Sequence, residues 1–304
     1  MRAAVQRALG AAGLPLTAVG FARRVLRTDR PMAREVLEGH ARGFPAGFDT
    51  AVGQWHAPHA ALDRFAGEER GFAYECAGMF ARLADLATGR AHAVERLLSG
   101  TGDRYAHLVH VGAGRPFTAA RLPVPIPLPR TPLLRWPALD GAAFFGGTRA
   151  LARHGRVTTP SAQVRIACFG RAAWFLESGD VDGVARLIST LPVAAHPSLW
   201  SGVGLACACA GATDDGGRAG LVRAAGAHRP HLAQGVAFVA AAARSGIVPT
   251  RTRAACAHVL GVDPEQAAVW SDAAAEGLTR ARHVHAHLRW RTRVRALATP
   301  VAPS

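Results

Sequence analysis

The 304-residue sequence contains no lysine, and all 36 of its basic residues are arginine. Together with heavy use of Ala, Gly and Pro, this is the coding bias of a GC-rich genome. Against 21 acidic residues the arginines give a formal net charge of +15, a balance that ordinarily raises nucleic acid or an acidic membrane as partner. The charges are scattered, however. No helix-length basic stripe interleaved with aromatics occurs before the last 25 residues, so nucleic acid is not an expected partner. Charge is also sparse, at 19% against 49% hydrophobic residues, which argues against a disordered chain. The five cysteines, Cys76, Cys168, Cys207, Cys209 and Cys256, include no CxxC pair. They read as reduced core residues of a cytoplasmic protein, with neither disulfide nor metal.

Other absences narrow the function. No uncharged apolar run reaches the roughly 18 to 20 residues of a spanning helix, so no transmembrane segment is expected. Arg2 and Arg7 precede an apolar stretch over 8–22, but Gly13, Pro15 and Thr17 interrupt it, and no small-x-small cleavage site follows before Arg23-Arg24. Gly112-Ala-Gly114 lacks the third glycine of a dinucleotide fingerprint, and Pro116 stands in that neighbourhood. No phosphate loop, nucleophile motif or metal triad is present, so no cofactor is expected.

What is present is helical. In 68–88 the apolar set Phe72, Cys76, Met79, Phe80, Leu83 and Leu86 recurs at three- and four-residue steps. Pro31 suits a helical first turn and Gly39 its end. The stretch 197–244 holds two segments of Gly, Ala, Cys and Val that read as tightly packed helices. Seven prolines lie between 116 and 137, and alternating prolines favour an extended strap over a helix. The fold class is therefore all-α, a multi-helix globule forming one domain over 1–304, with an Arg/His-rich tail at 271–304. Two pseudo-symmetric halves, 20–115 and 138–270, would be joined by the strap. Alignment of 105–121 with 228–244 pairs Gly112 with Gly235, and Gly71-Phe-Ala-Tyr-Glu-Cys-Ala77 is similar to Gly202-Val-Gly-Leu-Ala-Cys-Ala208. An Ala- and Gly-rich chain also produces such matches by chance.

The candidate site residues each have two readings. Glu75, beside Cys76 on the apolar face, is either a flanking or arginine-paired charge or a carboxylate pointed into a cavity. Asp140 and Glu177 are helix-cap or loop acids, or catalytic acids. His110, one turn from His107, is a buried hydrogen-bonded ring or a ligand contact, and Trp200, His231 and Gln234 front the two small-residue segments. The pair His56 and His59, split by Pro58, reads as a surface turn. His283, His285 and His287 share a face only on a strand, and in an arginine-rich terminus they read as solvated.

Six ordered motifs carry a resemblance: Arg70-Gly-Phe-Ala-Tyr-Glu-Cys-Ala-Gly-Met79, Val109-His-Val-Gly-Ala-Gly114, Leu139-Asp-Gly141, Trp174-Phe175 with 177–181, Leu199-Trp-Ser-Gly-Val-Gly-Leu-Ala-Cys207 and His231-Leu-Ala-Gln-Gly235. Together they resemble the domain of unknown function 1702 family, typically described as enediyne biosynthesis proteins, over roughly residues 20–270. The resemblance implies an actinobacterial, cytoplasmic protein tied to a polyketide-derived specialised metabolite, and implies no particular reaction. Related sequences tend to carry aromatic and polar residues where this chain has Ala142, Ala143 and Gly147.

Three functions are compatible with these residues. The first is an accessory protein of enediyne or polyketide-type biosynthesis, with a helical cavity for a long apolar polyene intermediate and Glu75, Asp140 or Glu177 as acid or base. The second is a non-catalytic scaffold or self-protection protein partnering a synthase. The third is cyclase-like chemistry on an isoprenoid chain, although Asp214-Asp215 and Asp180-Val-Asp182 complete no aspartate-rich pattern.

Overall fold

A computed structural model describes residues 26–90, 92–116, 132–139, 159–242 and 247–298. Among these residues the chain is helical and contains no strand. Most of the proline-rich segment lies outside the described residues, as does Asp140.

The first unit is built from α1 (Pro31–Gly53), α2 (Pro58–Leu62), α3 (Gly67–Thr88), α4 (Ala93–Leu97) and α5 (Ala106–Gly114). Helix α1 starts at Pro31 as expected but runs on through Gly39 and Pro45. Gly39 fails to end it because its backbone is not left-handed and its Cα faces open space, with Arg42 Nη2 3.9 Å from where a Cβ would be. Pro45 forfeits one helical hydrogen bond. Burial of His40, Gly47, Phe48 and Ala51 against the neighbouring helix outweighs that loss. In α3 every member of the sequence-predicted apolar set is buried except Leu86, in the last turn. Pro58 opens α2, so His59 sits on a helix, its Nδ1 3.4 Å from the Tyr74 hydroxyl.

The second unit holds α6 (Pro160–Leu176), α7 (Val181–Ser189), α8 (His196–Ala210), α9 (Asp215–Ala225) and α10 (Arg229–Ala242). Three helix starts are capped by side chains, Thr159, Asp214 and Asp263 each accepting a backbone N–H from the first turn. After α11 (Thr250–Ala255) a π turn over Cys256–Leu260 closes at Gly261, φ 73°. Helices α12 (Pro264–Ala275) and α13 (Val284–Ala298) complete the described chain. The expected solvated tail is thus partly core. His283 and His285 are exposed, but Ala286, His287, Trp290, Arg291, Val294 and Ala298 are buried. The window Val193–Ala210 is long and apolar enough to cross a membrane (mean hydropathy 1.2), yet 67% of it is buried among the other helices.

Both units repeat one arrangement, in which a first helix crosses a second and the second crosses a third: α1, α3 and α5, then α6, α8 and α10. The crossings are close because glycines meet backbone. A Cβ on Gly47 would lie 2.6 Å from the Ala73 Cα, and one on Gly170 1.9 Å from the Leu199 carbonyl oxygen. Gly78 faces the Val109 carbonyl as Gly204 faces that of Leu232. Gly112 faces the Glu75 carbonyl as Gly235 faces that of Ser201. Equivalent positions are 123 residues apart on the first and third helices and 126 apart on the second. This register agrees with the pairing of Gly112 and Gly235. It shifts the other sequence match, aligning 71–77 with 197–203 instead of 202–208.

Candidate functional site

Between the two units lies a cavity. One wall is the start of α3 and the face of α5, with Gly71, Phe72, Tyr105, Leu108 and Val111. The other comes from α6, α8 and α10, with Val164, Ala167, Gly202, Leu205, Phe238 and Val239. Helix α13 contributes His287, Trp290 and Arg291, and Ile247 and Pro249 precede α11. The space leaves about 140 Å³ to the centres of water-sized molecules, and totals about 1170 Å³ including the part open to solvent. Gly71 and Gly202 lie in close contacts at its walls, a Cβ on Gly202 falling 1.7 Å from the Ala167 carbonyl oxygen and one on Gly71 2.9 Å from Leu108 Cδ1, and the bulkier Phe72, Leu108, Leu205 and Trp290 surround the void.

The units are bridged by polar contacts beside this space. His40 Nε2 lies 2.9 Å from the Ala210 carbonyl, and its Nδ1 is 3.2 Å from Glu69. Arg251 donates to the Glu68 carboxylate, the Glu68 carbonyl and the Cys209 carbonyl, and Thr252 Oγ1 donates to the Ala208 carbonyl at 2.9 Å. Glu68 is the one acidic residue among the described lining residues and is held by Arg251 and Thr250.

Polar groups gather on the second unit's side. Arg291, 4% exposed, donates from Nε to Gln234 Oε1 at 3.3 Å and from Nη2 to Ser201 Oγ at 3.1 Å. Arg295 Nη1 also donates to Gln234 Oε1, at 3.3 Å. Gln234 is wholly buried, and its Nε2 has no partner. Burial, then the nearby Arg291 charge, pushes the His287 pKa down to about 3, so the ring is neutral at ordinary pH. A second, polar pocket on the far side of Arg291 is lined by His231, Ser198, Thr292 and Arg295. Burial first, then Arg295 and Arg291, lowers the His231 pKa to about 4.

The sequence-predicted candidates separate in space. Gln234 lines the cavity and His231 lines the second pocket. Glu75 is 2% exposed and lies off the cavity, its Oε1 accepting both Nε (2.9 Å) and Nη2 of buried Arg115. Arg115 in turn stacks over Phe44 at 4.6 Å. Glu177 belongs to a cluster at the protein's edge, where Arg27 Nη1 reaches Glu177 at 2.9 Å and Asp180 at 2.8 Å. Trp200 is packed in the second unit's core. His110 is 0% exposed with neither ring nitrogen hydrogen-bonded, and burial, followed by the charges of His107, Arg82 and Arg135, lowers its pKa to about 3. Asp140 lies outside the described residues. Among the described residues no group of three or more His, Cys, Asp and Glu could hold a metal ion.

Sequence reasoning missed Ser201, Phe238, His287, Trp290 and Arg291 as cavity residues. A signal existed for α13, because Ala286, Trp290, Val294 and Ala298 recur at four-residue steps and mark an apolar stripe.

Fold and site define a class: an all-helical protein in which two like three-helix units enclose an apolar cavity with a polar side. By sequence the chain belongs to the family described as protein of unknown function (DUF1702), which matches residues 3–298. The match extends past the sequence-read limits of 20–270 to include α13, whose His287, Trp290 and Arg291 line the cavity. Neither the curated proteins nor the solved structures include a match.

Proposed function

We propose that this protein holds a long apolar intermediate, a polyene in the first instance, as an accessory protein of enediyne or polyketide-type specialised metabolism. The supporting observation is the cavity itself, with mainly apolar and aromatic walls and a smaller number of polar groups among them, the usual character of a small-molecule site. The pathway rests on the sequence resemblance. Holding is favoured over acid–base catalysis by Glu75 or Glu177, because each carboxylate is engaged by an arginine away from the cavity. Isoprenoid cyclisation is not favoured either, since the described lining offers one acid, Glu68, already paired with Arg251.

The test is fluorescence titration with diphenylhexatriene, an apolar polyene that emits when shielded from water. Saturable binding is expected, and Leu205→Trp, which fills the cavity from a half-buried position, should abolish it while leaving the circular dichroism spectrum unchanged. Absence of saturable binding, or binding unaffected by Leu205→Trp, would overturn the reading.

A further inference from the structure

Building on the ligand-holding role, the polar side of the cavity specifies what the ligand carries. Gln234 and Phe238 are one turn apart on α10, and His287 and Arg291 are one turn apart on α13. The two helices meet with Gln234 hydrogen-bonded to Arg291 at 3.3 Å and the Phe238 and His287 rings 6.5 Å apart. Because Arg291 and Arg295 both donate to Gln234 Oε1, the amide is oriented with its NH₂ turned away from them. That NH₂ is a buried donor with no partner. Burying an unsatisfied amide is costly, so an acceptor supplied from elsewhere would stabilise the arrangement.

His287 is the complementary case. It is 5% exposed, lines the same cavity, and its Nδ1 has no hydrogen-bond partner. A backbone hydrogen bond with Leu133 favours the proton on the other ring nitrogen. With the ring neutral, Nδ1 then presents a lone pair. Where α10 meets α13, the cavity lining thus offers a fixed donor and a fixed acceptor.

We propose that the ligand is an apolar chain bearing a hydroxyl group, whose oxygen accepts from Gln234 Nε2 and whose proton is donated to His287 Nδ1. A hydroxyl supplies both functions from one atom, whereas a ketone or ether accepts only and a carboxylate leaves the histidine lone pair facing negative charge. The chain lies along Phe72, Leu108, Leu205 and Val239.

The experiment is displacement of diphenylhexatriene from the wild-type protein by dodecanol, its methyl ether and dodecanoate. Dodecanol should displace the probe at about tenfold lower concentration than the ether, the fold-change of one net hydrogen bond. Gln234→Glu keeps an acceptor for Arg291 and Arg295 but removes the donor. It should raise the concentration at which the ether displaces the probe, since the ether can only accept, while probe binding persists, and His287→Phe, which removes the acceptor for the hydroxyl proton, should reduce the alcohol preference to about twofold or less. The wild-type comparison stands even where a variant fails to fold. If the probe binds but alcohol and ether displace it equally, the hydroxyl assignment is overturned and the ligand-holding role survives. Dodecanoate displacing best would also overturn the assignment, in favour of a carboxylate read by the arginines. If the probe does not bind at all, the ligand-holding role itself fails.

Discussion

Replacing Gly112 by alanine tests the packing that creates both units. The added Cβ would sit 1.7 Å from the Glu75 carbonyl oxygen and 3.2 Å from the Met79 nitrogen, and both obstacles are backbone. No side-chain rotation relieves such a contact, so α5 must move away from α3 by more than an ångström, separating faces that bury Val109, Ala113, Cys76 and Met79. Alanine gains about 1 kcal/mol of intrinsic helix propensity over glycine. Overpacking of this kind costs about 1 to 3 kcal/mol and occasionally more, and here it includes lost burial along the crossing. The expected net effect is a loss of about 2 kcal/mol or more. Gly235→Ala should cost a similar amount, its Cβ lying 2.0 Å from the Ser201 carbonyl oxygen. Gly39→Ala is the control: with nothing nearer than Arg42 Nη2 at 3.9 Å, only the propensity gain remains. Urea unfolding followed by circular dichroism should rank Gly39→Ala above wild type and both crossing variants below it. A Gly112→Ala protein as stable as Gly39→Ala would refute the close-crossing argument.

Glu75→Gln keeps size but removes the buried negative charge facing the Arg115 guanidinium, and a loss of about 3 kcal/mol in the same assay is expected, whereas no loss would mean that the pair is not a structural ion pair. Of the five free cysteines only Cys209 is less than fully buried, and it lines the cavity with its pKa pushed up to about 11. A maleimide should therefore label one thiol slowly in the native protein, a cavity ligand should protect it, and the other four should react only after unfolding. His110 and His287 have folded pKa values of about 3, below the ordinary 6.5, so their contribution is complete above pH 6.5 and is lost as pH falls towards 3. Melting temperature should fall between about pH 7.5 and about pH 5, by the equivalent of about 2 kcal/mol for each histidine and roughly 4 kcal/mol for the two, and a flat profile would contradict this. His110→Leu removes two unpaired buried nitrogens, so it should leave stability at neutral pH unchanged or raised and flatten the acid loss. A large loss at neutral pH would show that the ring has a partner.

The helices were legible because their apolar spacing is regular, α3 above all, and caps such as Asp214 and Asp263 announce themselves locally. Where a helix stops was harder to read. Gly39 and Pro45 are breakers by propensity, and only the tertiary burial of α1 against α3 overrides them. The site was less legible still. Glu75 drew notice as a carboxylate on an apolar face, but its neutralising partner lies forty residues away and is visible only once α5 folds back on α3. Arg291 and His287 were hidden by composition, since an arginine- and histidine-rich terminus looks solvated until its four-residue apolar stripe is weighed against its charge.

The repeat also explains why the Ser201–Gln234–Arg291 network has no counterpart in the first unit. The glycine crossings demand backbone approach and so are kept in both units, whereas the side chains flanking them are free to differ. Just before each third-helix glycine stands Val111 in one unit and Gln234 in the other, and both line the cavity. Three residues after it stand Arg115 and Phe238, and where the first unit places Glu75 the second has Ser201. The first unit therefore turns its charged pair inward, Arg115 on Glu75, and lines the cavity with Gly71, Phe72, Leu108 and Val111 beside the polar Glu68, Tyr105 and His107. In the second unit Phe238 replaces the arginine, and Ser201 and Gln234 are left to be organised by Arg291 from α13. On the proposed holding role, a ligand would set its polar end against Gln234 and His287 of α10 and α13 and its apolar chain against Phe72 and Leu108 of α3 and α5. Symmetric backbone packing with asymmetric side chains turns a simple crevice into a directional one.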